Sequence, residues 1–193
     1  MSTVYFDEVG EYKLDRVTKL LSGISGGVYR AIGSSIKRSA QHGLTIGMKI
    51  VSEEYAIGSS SLKKYTKNIN TVVKEGKSSF QVTFGYRGNV IPLIQFDTTV
   101  GKDGRVFSRV LRTNARKSLD HVFRATMGSH VGVFERLGPD RFPVKELFGP
   151  SAVQAFYARE EVVDKMNDAI LETYEKRIEH EISRILNGWG GRS

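Results

Sequence analysis

No cysteine occurs among the 193 residues. That excludes disulfide scaffolds, thiolate metal sites and cysteine nucleophiles. Proline is scarce, with 4 residues, and tryptophan occurs once. No apolar run approaches the roughly 18 residues that a membrane-spanning helix needs, so no membrane partner is expected. The opening residues, Met1 to Glu8, lack the basic start and apolar run of a secretory signal. The chain is therefore expected to be made and kept in a cytoplasm. Glycine is abundant instead, at 20 residues, which signals many turns on a structured frame. Apolar residues at 39% and charged residues at 26% suit a folded chain rather than wholesale disorder. The length suits one domain, or one domain with an arm. A net charge of +8 favours contact with something anionic, either nucleic acid or an acidic protein face, or else marks an inert basic surface.

Hydrophobic spacing predicts a first helix over 12–22, on Leu14, Val17, Leu20 and Leu21, broken by Gly23, Gly26 and Gly27. A longer helix is expected from Val28 to about Glu54, because Val28, Ile32, Ile36, Ala40 and Leu44 step by four. Its second half is ambiguous. Leu44, Ile46, Met48 and Ile50 also alternate as a strand would, and Gly43 and Gly47 each cost a helix about 1 kcal/mol relative to Ala. Ser59, Ser60 and Ser61 are expected to cap a short helix carrying Leu62 to Tyr65. Alternation of Phe80, Val82, Phe84 and Tyr86 predicts a strand, paired with Ile69–Val73 through a turn over 74–79. Asn89–Phe96 reads as extended, with an edge or bend at Pro92. Further strands are expected over 106–111, 121–127 and 131–136. An irregular stretch over 137–158 holds a short helix begun by Ser151. A long terminal helix follows over 160–187, with an apolar stripe of Val163, Met166, Ile170, Tyr174, Ile178, Ile182 and Ile185. Gly188 suits its end.

The fold class expected is α+β: an antiparallel sheet with N-terminal helices and a long C-terminal helix. The single domain would comprise a helical arm over 1–27, a long and a short helix over 28–68, the sheet over 69–136, the irregular segment over 137–158 and the final helix over 159–187.

Motifs for catalysis fall short. Gly76-Lys77-Ser78 ends like a phosphate-binding loop, but Thr71 stands where that loop needs glycine, so a hairpin turn is the better reading. Gly23-Ile24-Ser25-Gly26-Gly27 matches a nucleophile elbow, which must follow a buried strand; here a helical pattern precedes it. His42, His121, His130 and His180 show no metal-ligand spacing. His130, between two glycines, reads as a structural hydrogen-bond partner. The acids of the last helix, Glu172, Glu175, Glu179 and Glu181, read as a solvated face interleaved with Lys176, Arg177 and Arg184. No catalytic, cofactor-binding or metal-binding residue is assigned, and no enzymatic activity is expected. Basic residues gather at Arg105, Arg109, Arg112, Arg116 and Lys117, opposed within 101–124 by Asp103 and Asp120 alone. Lys63, Lys64 and Lys67 form a second group. Either group can hold a phosphate backbone without reading sequence, or face an acidic partner. No zinc-finger or RNA-binding signature accompanies them.

Between Val122 and Phe156 the chain reads as a strand ending in Gly132, Val133, Phe134 and Arg136, then Pro143, Val144, Leu147, Gly149, Pro150 and Ser151. This resembles the minor tail protein Z family of tailed bacteriophages and prophages, the tail completion proteins. In that family a "GVF-x-R"-like segment precedes a "P-[IV]-x-x-[LV]-x-G-P-S"-like one. The Ala-, Ser- and Lys-bearing helix from Val28, the Leu62-Lys63-Lys64 segment and the closing helix are also similar, while Gly43, Gly47, Glu53 and Glu54 depart from a helix that is usually more basic. The resemblance implies a non-enzymatic virion protein at the head-proximal end of the tail, assembled in the host cytoplasm. It implies a homo-hexameric ring between a tail terminator or tube protein and the head connector proteins. It also implies contact with genomic DNA passing through the ring. Ring subunits meet through unlike patches; the candidate patch comprises Phe134, Arg136, Pro143, Lys145, Leu147 and Phe148. Strand alternation leaves Phe134 open to two placements. It is exposed beside Arg136 if Val131 and Val133 fill the core, or it is itself core. The alternative function is a basic, non-sequence-specific nucleic-acid-binding protein free in the cytoplasm.

Overall fold

A computed structural model describes residues 2–6, 11–75 and 80–188. In chain order the elements are β1 (Ser2–Phe6), α1 (Glu11–Leu21), α2 (Gly27–Glu54), α3 (Ser59–Lys64), β2 (Thr66–Glu75), β3 (Phe80–Gly88) and β4 (Ile91–Pro92). A 3-10 turn (Leu93–Gln95) leads to β5 (Asp97–Val100), β6 (Val106–Arg109), β7 (Lys117–Leu119), β8 (Val122–Met127) and β9 (His130–Arg136). Then come β10 (Val144–Glu146), β11 (Phe148–Gly149), α4 (Ala152–Tyr157) and α5 (Glu160–Leu186). The class is α+β, as expected, with antiparallel strand pairs and the long terminal helix. The chain divides into two compact units. One comprises Met1–Ser2, Met48–Lys67 and Gly88–Ala158; the other comprises Thr3–Gly47, Asn68–Arg87 and Arg159–Ser193.

The helical unit is built on α1, the first part of α2 and α5. Val17 and Leu21 of α1, Ala31, Ile32, Ile36 and Ala40 of α2, and Ile170, Tyr174, Ile178, Ile182 and Ile185 of α5 form one buried cluster. The ambiguity over Leu44–Ile50 resolves as helix, and the two glycines explain how. A Cβ on Gly43 would collide with Cγ1 of Ile170, and one on Gly47 with Sδ of Met166. Ala31, Ser35, Ser39, Gly43 and Gly47 recur every fourth residue and are all buried. This small-residue stripe ends where α5 comes closest, so the propensity cost of each glycine is offset by packing that any side chain would block. The α5 stripe runs as expected except at its start, where Val162 is buried and Val163 only partly so. Burial pushes the Tyr174 hydroxyl up to about 12. The Tyr86 hydroxyl, also raised by burial, donates to the Ala40 carbonyl at 2.5 Å. In the three-stranded sheet of β1, β3 and β2, β3 lies in the middle. The strand β1 falls in the segment expected to be a helical arm; of the turn expected over 74–79, Lys74 and Glu75 still belong to β2 and 76–79 lie outside the described residues.

The second unit carries three small sheets rather than the continuous one expected: β10-β9-β8, β11-β4 and β5-β6-β7. The extended run over 89–96 breaks at Pro92, the N-cap of the 3-10 turn. The short helix α3 is capped by Gly58 without a side-chain bond, so none of the three serines serves as its cap. Ser151 does cap α4: its Oγ accepts from Gln154 N, and the Gln154 side chain accepts from Ser151 N.

Candidate assembly surface

The β8–β9 hairpin turns at Gly128, whose φ of 62° is left-handed and suits glycine. Along β9, Val133 and Phe134 are both buried. Phe134, 5% exposed, lies 6.1 Å from the Phe123 ring and is therefore core, not part of a surface patch. Alternation fails because both faces of β9 are covered at this point, over Val133 on one and Phe134 on the other. The strand pairs with β8 and with β10, and Leu147 N donates to the Val133 carbonyl at 2.9 Å.

The segment expected to be irregular holds two short strands besides α4. Val144, Lys145 and Glu146 pair with Arg136, Glu135 and Phe134, and Phe148 and Gly149 pair with Pro92 and Ile91. Leu147 bridges both neighbours, since its carbonyl also accepts from Leu93 N at 2.9 Å. Lys145 and Pro143 are exposed and Leu147 is half-buried. The longest loop of the segment is 137–143, closed by Leu137 N donating to the Pro143 carbonyl at 3.2 Å. Arg136 holds its inner side. Its guanidinium lies 4.8 Å over the Phe123 ring and donates to the Arg141 carbonyl at 3.0 Å. The loop then presents Leu137 at 59% exposure and Phe142 at 63%, with Phe148 on β11 at 47%. Leu137 and Phe142 were missed by sequence reasoning. Their signal is two large apolar residues flanking Gly138-Pro139-Asp140 in an otherwise polar turn. His130 Nε2 meets Glu146 Oε1 at 2.7 Å, which makes it the hydrogen-bond partner expected.

The basic cluster is differently placed from its linear spacing. Pairing of β5 with β6 sets Asp97 opposite Arg109. Arg109 Nε reaches Asp97 Oδ2 at 2.6 Å, and Arg116 donates Nε and Nη2 to Oδ1 at 3.1 and 2.7 Å. The Arg116 hydrogen bond, seconded by Arg109, holds the Asp97 carboxyl below its ordinary range. Arg112 Nε donates to the Ser52 carbonyl at 3.0 Å. Arg105 pairs with Asp103 at 3.4 Å. Of the five cations proposed for an anionic partner, Lys117 alone is exposed with no side-chain ion pair or hydrogen bond found among the described residues.

A shallow depression of about 380 Å³ includes Asp103, Arg105, Asp120, His121, Phe123 and Arg136 in its lining. Among the described residues no cluster of three or more His, Asp or Glu could hold a metal ion. Ser25 of the elbow-like motif sits in the turn between α1 and α2, where its carbonyl accepts from Arg30 Nη2 at 3.1 Å. No helix of the described residues is long and apolar enough to cross a membrane. The chain matches no family model, no curated protein and no solved structure.

Proposed function

We propose that this chain is a structural, non-enzymatic subunit of a bacteriophage tail. It would complete the head-proximal end as a hexameric ring between the tail terminator or tube protein and the head connector proteins. The observation that carries this reading is the 137–148 surface. Leu137, Phe142 and Phe148 are large, apolar and about half or more exposed. They are mounted on a loop pinned by Arg136 and on a strand paired to β4. Exposed apolar side chains held rigidly lose little entropy when a partner covers them, which is the condition for an interface anchor. The resemblance of the Gly132–Ser151 segment to minor tail protein Z supplies the assembly in which that anchor would serve. A ring needs two unlike patches per subunit, and this surface would be one of them.

The test is Leu137→Ser with Phe142→Ser in the phage or prophage that encodes the chain. Both side chains are outside the core, so the purified variant should keep its melting temperature. Heads and tails are expected to accumulate unjoined, and normal infectious particles from the variant would remove this surface from assembly. Particles that also lack the wild-type protein would remove the chain from the tail.

A further inference from the structure

The helical unit contains a groove that linear spacing conceals. Arg38 and His42 of α2 and Thr173, Lys176, Arg177 and His180 of α5 line one opening of about 450 Å³. The lining holds three fixed cations, two imidazoles and a hydroxyl, with no carboxylate. Glu172, beside the groove, binds Lys176 at 2.5 Å and lies near His42, so Lys176 is partly neutralised. Glu179 is engaged elsewhere, with Arg16 at 3.2 Å. No ion pair of Arg38 or Arg177 is found among the described residues. Two helices distant in sequence thus place unneutralised positive charge along one trough.

We infer that this groove binds the phosphate backbone of nucleic acid. The lining selects the occupant. Sites for organic small molecules are lined mostly by apolar and aromatic residues; the carbon stems of this lining expose apolar area too, but every lining residue ends in a cation, an imidazole or a hydroxyl, the donor set for phosphate oxygens. Its residues extend over two turns of α5, from Thr173 to His180, so successive phosphates of one strand can be met by successive side chains. None of the groove residues is buried, which suits a polyanion gripped along its length rather than one enclosed ion. Contacts to phosphate oxygens carry no sequence information, so binding through this groove is indifferent to sequence. This site is distinct from the Arg105–Lys117 cluster, and it stands or falls independently of the tail reading.

The test is binding of the purified chain to a short labelled duplex of arbitrary sequence, followed by fluorescence anisotropy over a salt series. Neutralising Arg38→Gln, Lys176→Gln and Arg177→Gln together should make the slope of log K against log salt shallower by about 1.8 to 2.7, at roughly 0.9 for each arginine and less for Lys176, which Glu172 already partly neutralises. Arg38→Gln and Arg177→Gln alone should each remove about 0.9 and Lys176→Gln less, which covers the case of a poorly folding triple variant. The exposed set Lys19→Gln, Lys49→Gln and Lys165→Gln removes equal charge elsewhere and should leave the slope near wild type. An equal change in both triple variants would mean diffuse attraction by net charge and overturn the site. So would an unchanged slope in the groove variant. Tripolyphosphate shifting the His42 and His180 imidazole resonances without any duplex binding would replace nucleic acid with a small oxyanion and overturn the proposal as well.

Discussion

Three glycines of α2 predict a stability order that propensity alone would miss. In a helix interior, Gly→Ala ordinarily stabilises by about 1 kcal/mol. At Gly33 an added Cβ meets nothing within 4 Å. Gly33→Ala should therefore realise that gain and raise Tm by about 2–4 °C for a chain of this size. At Gly43 the same methyl falls on Cγ1 and Cδ1 of Ile170 and lies 3.2 Å from the Met166 carbonyl. Cγ1 is close to the Ile170 backbone and cannot swing clear without moving α5. Overpacking of this kind costs about 1–3 kcal/mol. Set against the helix gain, Gly43→Ala should destabilise by up to about 2 kcal/mol. Gly47 meets the flexible side chain of Met166, so Gly47→Ala should fall between the other two. Thermal unfolding followed by circular dichroism reads all three. A double-mutant cycle gives the sharper check. Ile170→Ala destabilises by about 2–5 kcal/mol on its own, yet in that background Gly43→Ala should become stabilising, because the colliding atoms are gone. Equal rises in Tm for Gly33→Ala and Gly43→Ala, with no coupling to Ile170, would refute the close approach of α2 and α5.

Ile178 is fully buried in the helical cluster; Ile178→Asp should cost several kcal/mol, roughly 3–5, and an unchanged Tm would show that the stripe faces solvent. Ser151→Ala removes the side-chain half of the α4 capping box and should cost about 1 kcal/mol, read as a lower denaturant midpoint at constant slope; an unmoved midpoint would show that the cap adds nothing. Asp97 has a depressed folded pKa, so its contribution is present above the unfolded value near 4 and is lost as pH falls through the lower folded value. The wild-type stability advantage over Asp97→Asn should accordingly shrink only below about pH 4, and a difference that is flat down to pH 2 would mean Asp97 is not held by Arg116 and Arg109.

What was legible in the sequence follows from where the information lies. Helices α1, α2, α4 and α5 carry their own periodicity and stops, and each was expected within a residue or two of its bounds. The errors arise where local pattern is degenerate. Val162 and Val163 are adjacent and chemically alike, so only the packing of α5 selects the first. Three consecutive serines suggest a cap, but α3 begins one residue earlier and leaves them inside its first turn. Alternation over Leu44–Ile50 suited a strand as well as a helix until Ile170 and Met166, far along the chain, gave Gly43 and Gly47 their reason. Phe134 was open to two placements because strand alternation presumes one solvated face, and β9 buries both Val133 and Phe134, which lie on opposite faces.

Charge shows the same dependence on tertiary pairing, and here it changes the function that can be argued. Counting between Gly101 and Arg124 sets seven cations against two acids. Asp97 lies just outside that window, and one antiparallel pairing brings it to both Arg109 and Arg116. The cluster that looked most like a nucleic-acid contact is thus largely committed to holding β5, β6 and the following loop together. The reverse holds for Arg38 and Arg177. Each sits in an unremarkable mixed stretch, beside Ser35 and Ser39 in one case and among glutamates in the other. Folding turns the nearby acids toward Arg16 and Lys176 and leaves these two arginines in a common groove. Net charge alone therefore says that something anionic is attracted. Which residues could hold it is decided by the carboxylates that folding brings close, and for this chain they favour the α2–α5 groove over the segment in which basic residues are densest.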